Sequence, residues 1–176
     1  VAARSIAATI SAEIQAITAR AAEFAEREMQ VEGHGPPPVA YAVLVLGSAG
    51  RGESLLAADQ DNAIVYAEGA EGSAADLWFA DMAERMNRML DEAGIVLCKG
   101  EVMARNRLWR LSVEDWIAQV DSWIRRQRPL DLLNVDIFFD AVAVHGNRAM
   151  AEQVLSHARS RAQATPSFLM MLTELA

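Results

Sequence analysis

Residues 39–46, Val-Ala-Tyr-Ala-Val-Leu-Val-Leu, are apolar without a break and favour extended structure. A strand of that kind has no solvent face, so it must sit inside a sheet that is covered on both sides. Hydrophobic residues make up 52% of the 176, enough to build the covering layers. The run ends at Gly47-Ser48. A glycine-containing turn to Gly52 and a short helix through Leu56 are expected next, and then a second strand over Asn62–Tyr66.

The covering elements are legible as helices. Ile6, Ile10, Ile14, Ile17, Ala21 and Phe24 recur at steps of three and four, which predicts a helix over 1–30 with that apolar face. Gly33–Pro38, with three prolines, ends it. Ser73 followed by Asp76 reads as a cap opening a helix to Gly94, with Phe79, Met82, Met86 and Leu90 buried. Residues 95–104 are expected to contain a third strand. Ser112 and Asp115 cap a helix whose stripe is Val113, Trp116, Ile117, Val120, Trp123 and Ile124, stopped by Pro129. Val135–Val144 is apolar and β-favouring, with Asp136 and Asp140 embedded, and reads as a fourth strand. A helix over Asn147–Ala164 ends before Pro166. This alternation is an α/β pattern. The expected division is an N-terminal helix and linker over 1–35, a catalytic domain over 36–165, and the start of a C-terminal helical region over 166–176. The chain opens on Val1 and closes within an apolar run, Phe168–Leu172, so it reads as a piece of a longer protein.

Charge narrows the function. Sixteen basic against 24 acidic residues give a net charge of −8, which argues against nucleic acid as a partner. Arg125, Arg126 and Arg128 read as a solvated helix end that suits the helix dipole. One cysteine, Cys98, and three scattered histidines, His34, His145 and His157, do not make a zinc site. Cys98 reads as a small buried apolar residue. No apolar run approaches the ~18 residues of a membrane span, and the composition suits the cytoplasm.

The segment that carries chemistry is 44–66. A buried strand delivers Gly47-Ser48 to the start of a helix, where unpaired backbone N–H groups favour an anion. Gly47 permits close approach and Ser48 adds a hydroxyl donor. The Gly-Lys-Ser/Thr ending of a Walker loop is absent. Asp59 and Asp61 follow, two residues apart at the mouth of a strand, and so on one face. Two carboxylates there repel each other. Mg²⁺ would relieve the repulsion and bridge to phosphate oxygens, as it prefers few carboxylates plus substrate phosphates.

These residues resemble a known family. Gly-Ser-x-Gly-Arg-x-Glu from Gly47, then Asp59-Gln60-Asp61-Asn62, is similar to a nucleotidyltransferase family related to the N-terminal domain of protein-PII uridylyltransferases, within the DNA polymerase β-like superfamily. Cys98-Lys99-Gly100 with Val102–Asn106 and Trp109, and Ile137–Asp140 followed by Val144-His145-Gly146, resemble later segments of the same family. The resemblance implies a mixed sheet flanked by helices, with an N-terminal helix and a helical C-terminal extension. It implies Gly47 and Ser48 on the nucleotide phosphates, with Arg51 meeting phosphate and Glu53 bracing the loop through an ion pair. It implies Asp59 and Asp61 as catalytic metal ligands for Mg²⁺ or Mn²⁺, and Asp140 as a third, with Glu101 and Asp136 as alternatives. The family commonly carries Asp-x-Arg where this chain has Asp140-Ala141-Val142.

The expected function is transfer of an NMP from an NTP to an acceptor hydroxyl, with a signalling protein as acceptor and regulatory domains elsewhere in the full-length chain. The alternative is a nucleotide-sensing module with little or no turnover. A helical interaction domain, which would bind no nucleotide through a metal, is the third.

Overall fold

The computed structural model describes residues 2–55 and 57–175. Its sheet comprises β1 (Tyr41–Val45), β2 (Asn62–Tyr66), β3 (Arg110–Ser112) and β4 (Val142–Gly146), in the order β3-β2-β1-β4. β1 runs antiparallel to both β2 and β4, and β2 runs parallel to β3. The helices are α1 (Ala2–Val31), α2 (Gly47–Arg51), α3 (Ala74–Glu92), α4 (Val113–Arg126), α5 (Pro129–Phe139), α6 (Arg148–Gln163) and α7 (Pro166–Leu175). The fold is therefore α/β, a mixed sheet between two helical layers.

All five residues of β1 are buried, as the unbroken apolar run requires. Its side chains alternate between two cores. Ala42, Leu44 and Leu46, with Ala63 and Val65 of β2, pack among residues of α4, α5 and α6. Val43 and Val45, with Ile64 and Tyr66, pack among residues of α1 and α3. The first core is organised by aromatics. Trp116 stacks on Phe138 at 4.7 Å between centroids, and Trp109 lies 5.6 Å from Trp123. Such pairs add about 0.5–1.5 kcal/mol each beyond their buried area. The Trp116 indole N–H donates to the Ile64 carbonyl at 2.9 Å, so its burial leaves no orphan donor. The stripe expected for α3 is buried, as are Trp116, Val120, Trp123 and Ile124 of α4, with Val113 and Ile117 half-buried; both caps form, Asp76 N–H donating to Ser73 Oγ and Asp115 N–H to Ser112 Oγ.

Three readings are corrected. Residues 135–139 are not strand but the second half of α5. Pro129 ends α4 and also starts α5, where its fixed φ suits the first helical position. α5 is apolar around most of its circumference, so no 3.6-residue period marks it. β4 begins only at Val142, which places Asp140 at the C-cap of α5 rather than inside a strand. Residues 95–104 hold no strand either. Among the described residues the Asp59–Val96 bridge is the only ladder pairing of this stretch, and the third strand is Arg110–Ser112 instead. Gly94 and Gly100 break the run into turns. On α1 the buried face is Ile14, Thr18, Ala21, Ala22, Ala25 and Met29, whereas Ile6, Ile17 and Phe24 are exposed. Ile14 and Ala21 are buried as expected, small residues let α1 approach the sheet and α3 closely, and Ile6, Ile17 and Phe24 turn outward.

The Arg cluster is also more than a solvated end. Arg126 and Arg128 both bind the Asp131 carboxylate, at 2.9 and 2.8 Å, and hold it down at about 2. They fasten the α4–α5 corner.

One close approach joins α2 to α5. A Cβ at Gly50 would lie 2.1 Å from the Asp140 carbonyl oxygen and 3.1 Å from that of Val45. Both obstacles are backbone, so neither can rotate away. Gly50→Ala is expected to destabilise by about 1–3 kcal/mol, which lowers Tm by roughly 2–12 °C in a chain this size. An unchanged Tm by scanning calorimetry would show that α2 is free to move off α5.

Candidate nucleotide and metal site

The site lies at one end of the sheet. Because β1 is antiparallel to both neighbours, its C-terminal end meets the segments that lead into β2 and β4. Val45 pairs with Asn62 on one side and with Val142 on the other. Gly47 therefore sits between the stretch carrying Asp61 and the stretch carrying Asp140. The Leu46 N–H donates to the Asp61 carbonyl at 2.9 Å, fixing that edge.

Gly47 begins α2 with φ +58, a left-handed conformation that costs glycine nothing. A Cβ built there would stand 2.8 Å from Asp61 Oδ2. The glycine thus keeps open the space directly beside an acidic side chain. The turn is held by its own backbone and by α1. Glu53 N–H donates to the Ser48 carbonyl at 2.8 Å. The Gln15 side-chain amide donates to the Ala49 carbonyl at 2.8 Å, and Ser54 N–H donates to Ser11 Oγ at 3.0 Å. α1, expected as a separate appendage, braces the glycine turn.

Residues 59–62 alternate as the period of two demands. Asp59 is exposed and Asp61 is half-buried, while Gln60 and Asn62 are each 2% exposed and point to the opposite side. Burial pushes the Asp61 carboxyl up to about 7. The charge of Asp59 adds to the rise, and a hydrogen bond from the Cys98 thiol opposes it. Cys98 is buried, as read. Among the described residues neither Asp59 nor Asp61 is in an ion pair.

Asp140 is differently placed. Arg51 donates to its carboxylate and also, at 2.8 Å, to Glu53. The Glu53–Arg51 brace is present, and it extends to Asp140. Burial raises the Asp140 carboxyl, and the Arg51 guanidinium partly counters this. Among the described residues no three His, Cys, Asp or Glu side chains gather as a ready-made metal site. Glu101 is engaged with Arg105 at 2.7 Å, and Asp136 lies exposed on α5 one turn before Asp140.

The sequence reading missed the amides. Gln60, Asn62 and, from α3, Asn87 form a closed buried network behind the two acids. Its one local signal is the polar pair interleaved with Asp59 and Asp61. Asn87 gives none beyond a polar residue beside an apolar stripe. A cleft of about 530 Å³ beside the turn is lined by Ala3, Arg4, Ala7, Arg51, Gly52 and Glu53. A more apolar groove of about 590 Å³, between α1 and α3, contains none of the acids discussed. No helix among the described residues is long and apolar enough to cross a membrane.

The model of the family described as Putative nucleotidyltransferase DUF294 matches residues 1–130, from α1 into the first helical residues of α5. No curated protein matches the chain.

Proposed function

The chain belongs to the DUF294 nucleotidyltransferase family, and from that premise we propose that it moves an NMP from an NTP to an acceptor hydroxyl, with Mg²⁺ or Mn²⁺, the acceptor being a signalling protein. The observation that carries this reading is Gly47 set against Asp61, with Asp59 beside it and, among the described residues, no cation paired with either acid. The donor set fits a divalent ion. Oxygen ligands of paired charge stand at an open edge, and one is held above its ordinary range by burial and by the neighbouring Asp59 charge. When bound there, such an ion neutralises phosphate charge and polarises the α-phosphorus.

The chain's own residues do the rest. Gly47 leaves room for phosphate at the start of α2, where first-turn N–H groups have no intrahelical acceptor. Ser48 adds a hydroxyl donor. Arg51 lines the 530 Å³ cleft and would meet the distal phosphates by turning off Asp140, which would free that carboxylate as a third acid. An acceptor oxygen then bonds to the α-phosphorus, the bond to the β-phosphate bridge breaks, pyrophosphate leaves and the acceptor's proton is released.

NTP binding should require the divalent ion, because acids lining the site repel a bare triphosphate. Calorimetry is expected to show affinity at least about a hundred-fold weaker in EDTA than in Mg²⁺. Equal affinity would remove the metal from the reading. The Arg51–Asp140 pair favours a second reading, a nucleotide-sensing module with little turnover, since it occupies the third acid. Labelled NTP with Mg²⁺ and cell lysate separates them: label on an acceptor means transfer, and binding without label means sensing.

A further inference from the structure

We propose that Asn87, acting with Gln60 and Asn62, is a positioning residue that sets the direction and spacing of the Asp59–Asp61 pair from the opposite side of the sheet. The proposal rests on those two acids being metal ligands, as read above.

Two like charges two residues apart, one of them half-buried, repel. Residues 59–61 could relieve the strain by rotating so that the half-buried Asp61 carboxylate joins the exposed Asp59 in solvent. Their backbone is only lightly held there, by the isolated Asp59–Val96 bridge, the Gln60 N–H to Val96 carbonyl bond and the Leu46 bond to Asp61. What resists rotation is on the other face. The Gln60 amide group donates to the carbonyls of Asn87 and Ile95, both at 2.9 Å. The Asn87 amide group donates to Gln60 Oε1 and to Asn62 Oδ1, both at 2.9 Å. Asn62 Oδ1 also accepts from Ala104 N–H at 2.9 Å, and Asn87 Oδ1 from Arg105 N–H at 3.0 Å. Asn87 is fully buried and uses both donors and its acceptor oxygen.

Rotating the segment would break this network and leave several buried polar groups unpaired, which is costly where water cannot reach. Apolar side chains could fill the same space, as Met82, Met86 and Leu90 do elsewhere on this face of α3. They would not specify direction, because apolar packing is not directional and amide bonds are. A buried Asn among methionines thus makes sense as a device that aims the acids.

The test uses Asn87→Leu and the all-apolar variant Gln60→Met/Asn62→Val/Asn87→Leu, which removes every member of the network together. Mn²⁺ affinity is read from the electron paramagnetic resonance of the free ion, in the absence of nucleotide, at a temperature where circular dichroism shows the protein folded. The expected result is at least tenfold weaker Mn²⁺ binding in a variant that remains folded. Wild-type affinity in a folded variant overturns the proposal. So does failure of both variants to fold, which would assign the network to the fold rather than the site. Asp61→Asn is the control: if it also binds Mn²⁺ like wild type, the metal reading itself fails, and not merely the role of Asn87.

Discussion

Asp61→Asn is expected to abolish transfer and at the same time to raise the Tm of the metal-free protein at neutral pH and above. The carboxyl is pushed up to about 7 by burial and by Asp59, against an ordinary value near 3.8. Between those values the folded protein holds a proton that the unfolded chain has released, so stability falls as pH rises through that window. Below it the group costs nothing. Above it the folded protein carries a buried charge at a constant cost, at most a few kcal/mol, and less for the water that reaches a half-buried group. Asparagine is nearly the same shape and has no charge to bury. The Asp61 contribution should therefore lower the wild-type Tm from pH 4 to pH 7, and that part of the pH dependence should be absent in Asp61→Asn. Transfer should fall roughly a thousand-fold or more, because several kcal/mol of metal-dependent stabilisation are lost. Thermal melts at pH 5 and pH 8, with a labelled-NTP assay, check both halves. A lower Tm for the mutant at pH 8 would mean that the carboxylate is structural.

Gly47→Val is expected to remove nucleotide binding below detection in a protein that still folds. The backbone there has φ +58, where a β-branched residue is strained by roughly 1–2 kcal/mol. Its Cβ would also stand 2.8 Å from Asp61 Oδ2, so the side chain must displace the carboxylate or the turn. Either movement disturbs the space read here as the phosphate and metal site. Ser48→Ala should be milder, losing one hydrogen bond to a charged group, about 1.5–3 kcal/mol, or roughly ten- to a hundred-fold in affinity. Calorimetry with Mg²⁺-NTP orders the two. A folded Gly47→Val protein with wild-type affinity would place the phosphates elsewhere.

What local chemistry writes into a sequence was readable here. β1 is marked by its unbroken apolar run, α3 and α4 by their caps and 3.6-residue stripes, and β2 by β-favouring residues after two acids. The placement of Asp59 and Asp61 on one side followed from the period of two alone. α5 was misread because a helix apolar around most of its circumference has no period to show, and its composition matches that of a buried strand. The buried face of α1 was legible only at Ile14 and Ala21, because close packing selects small residues, whereas hydrophobicity points to large ones.

By itself the sequence determined that β1 is buried, where α3 and α4 start, and that a glycine turn and two aligned acids stand close together in the chain. Only the tertiary structure decided that Gly47 abuts Asp61, that Arg51 of α2 holds Asp140 at the end of α5, and that Asn87 of α3 ties down Gln60 and Asn62. The reason is separation along the chain. Caps, turns and alternation act over two to four residues and leave a local pattern. An ion pair across 89 residues or an amide bond across 27 exists only because antiparallel pairing and helix packing bring distant residues together, and neither partner's neighbours in the sequence register it.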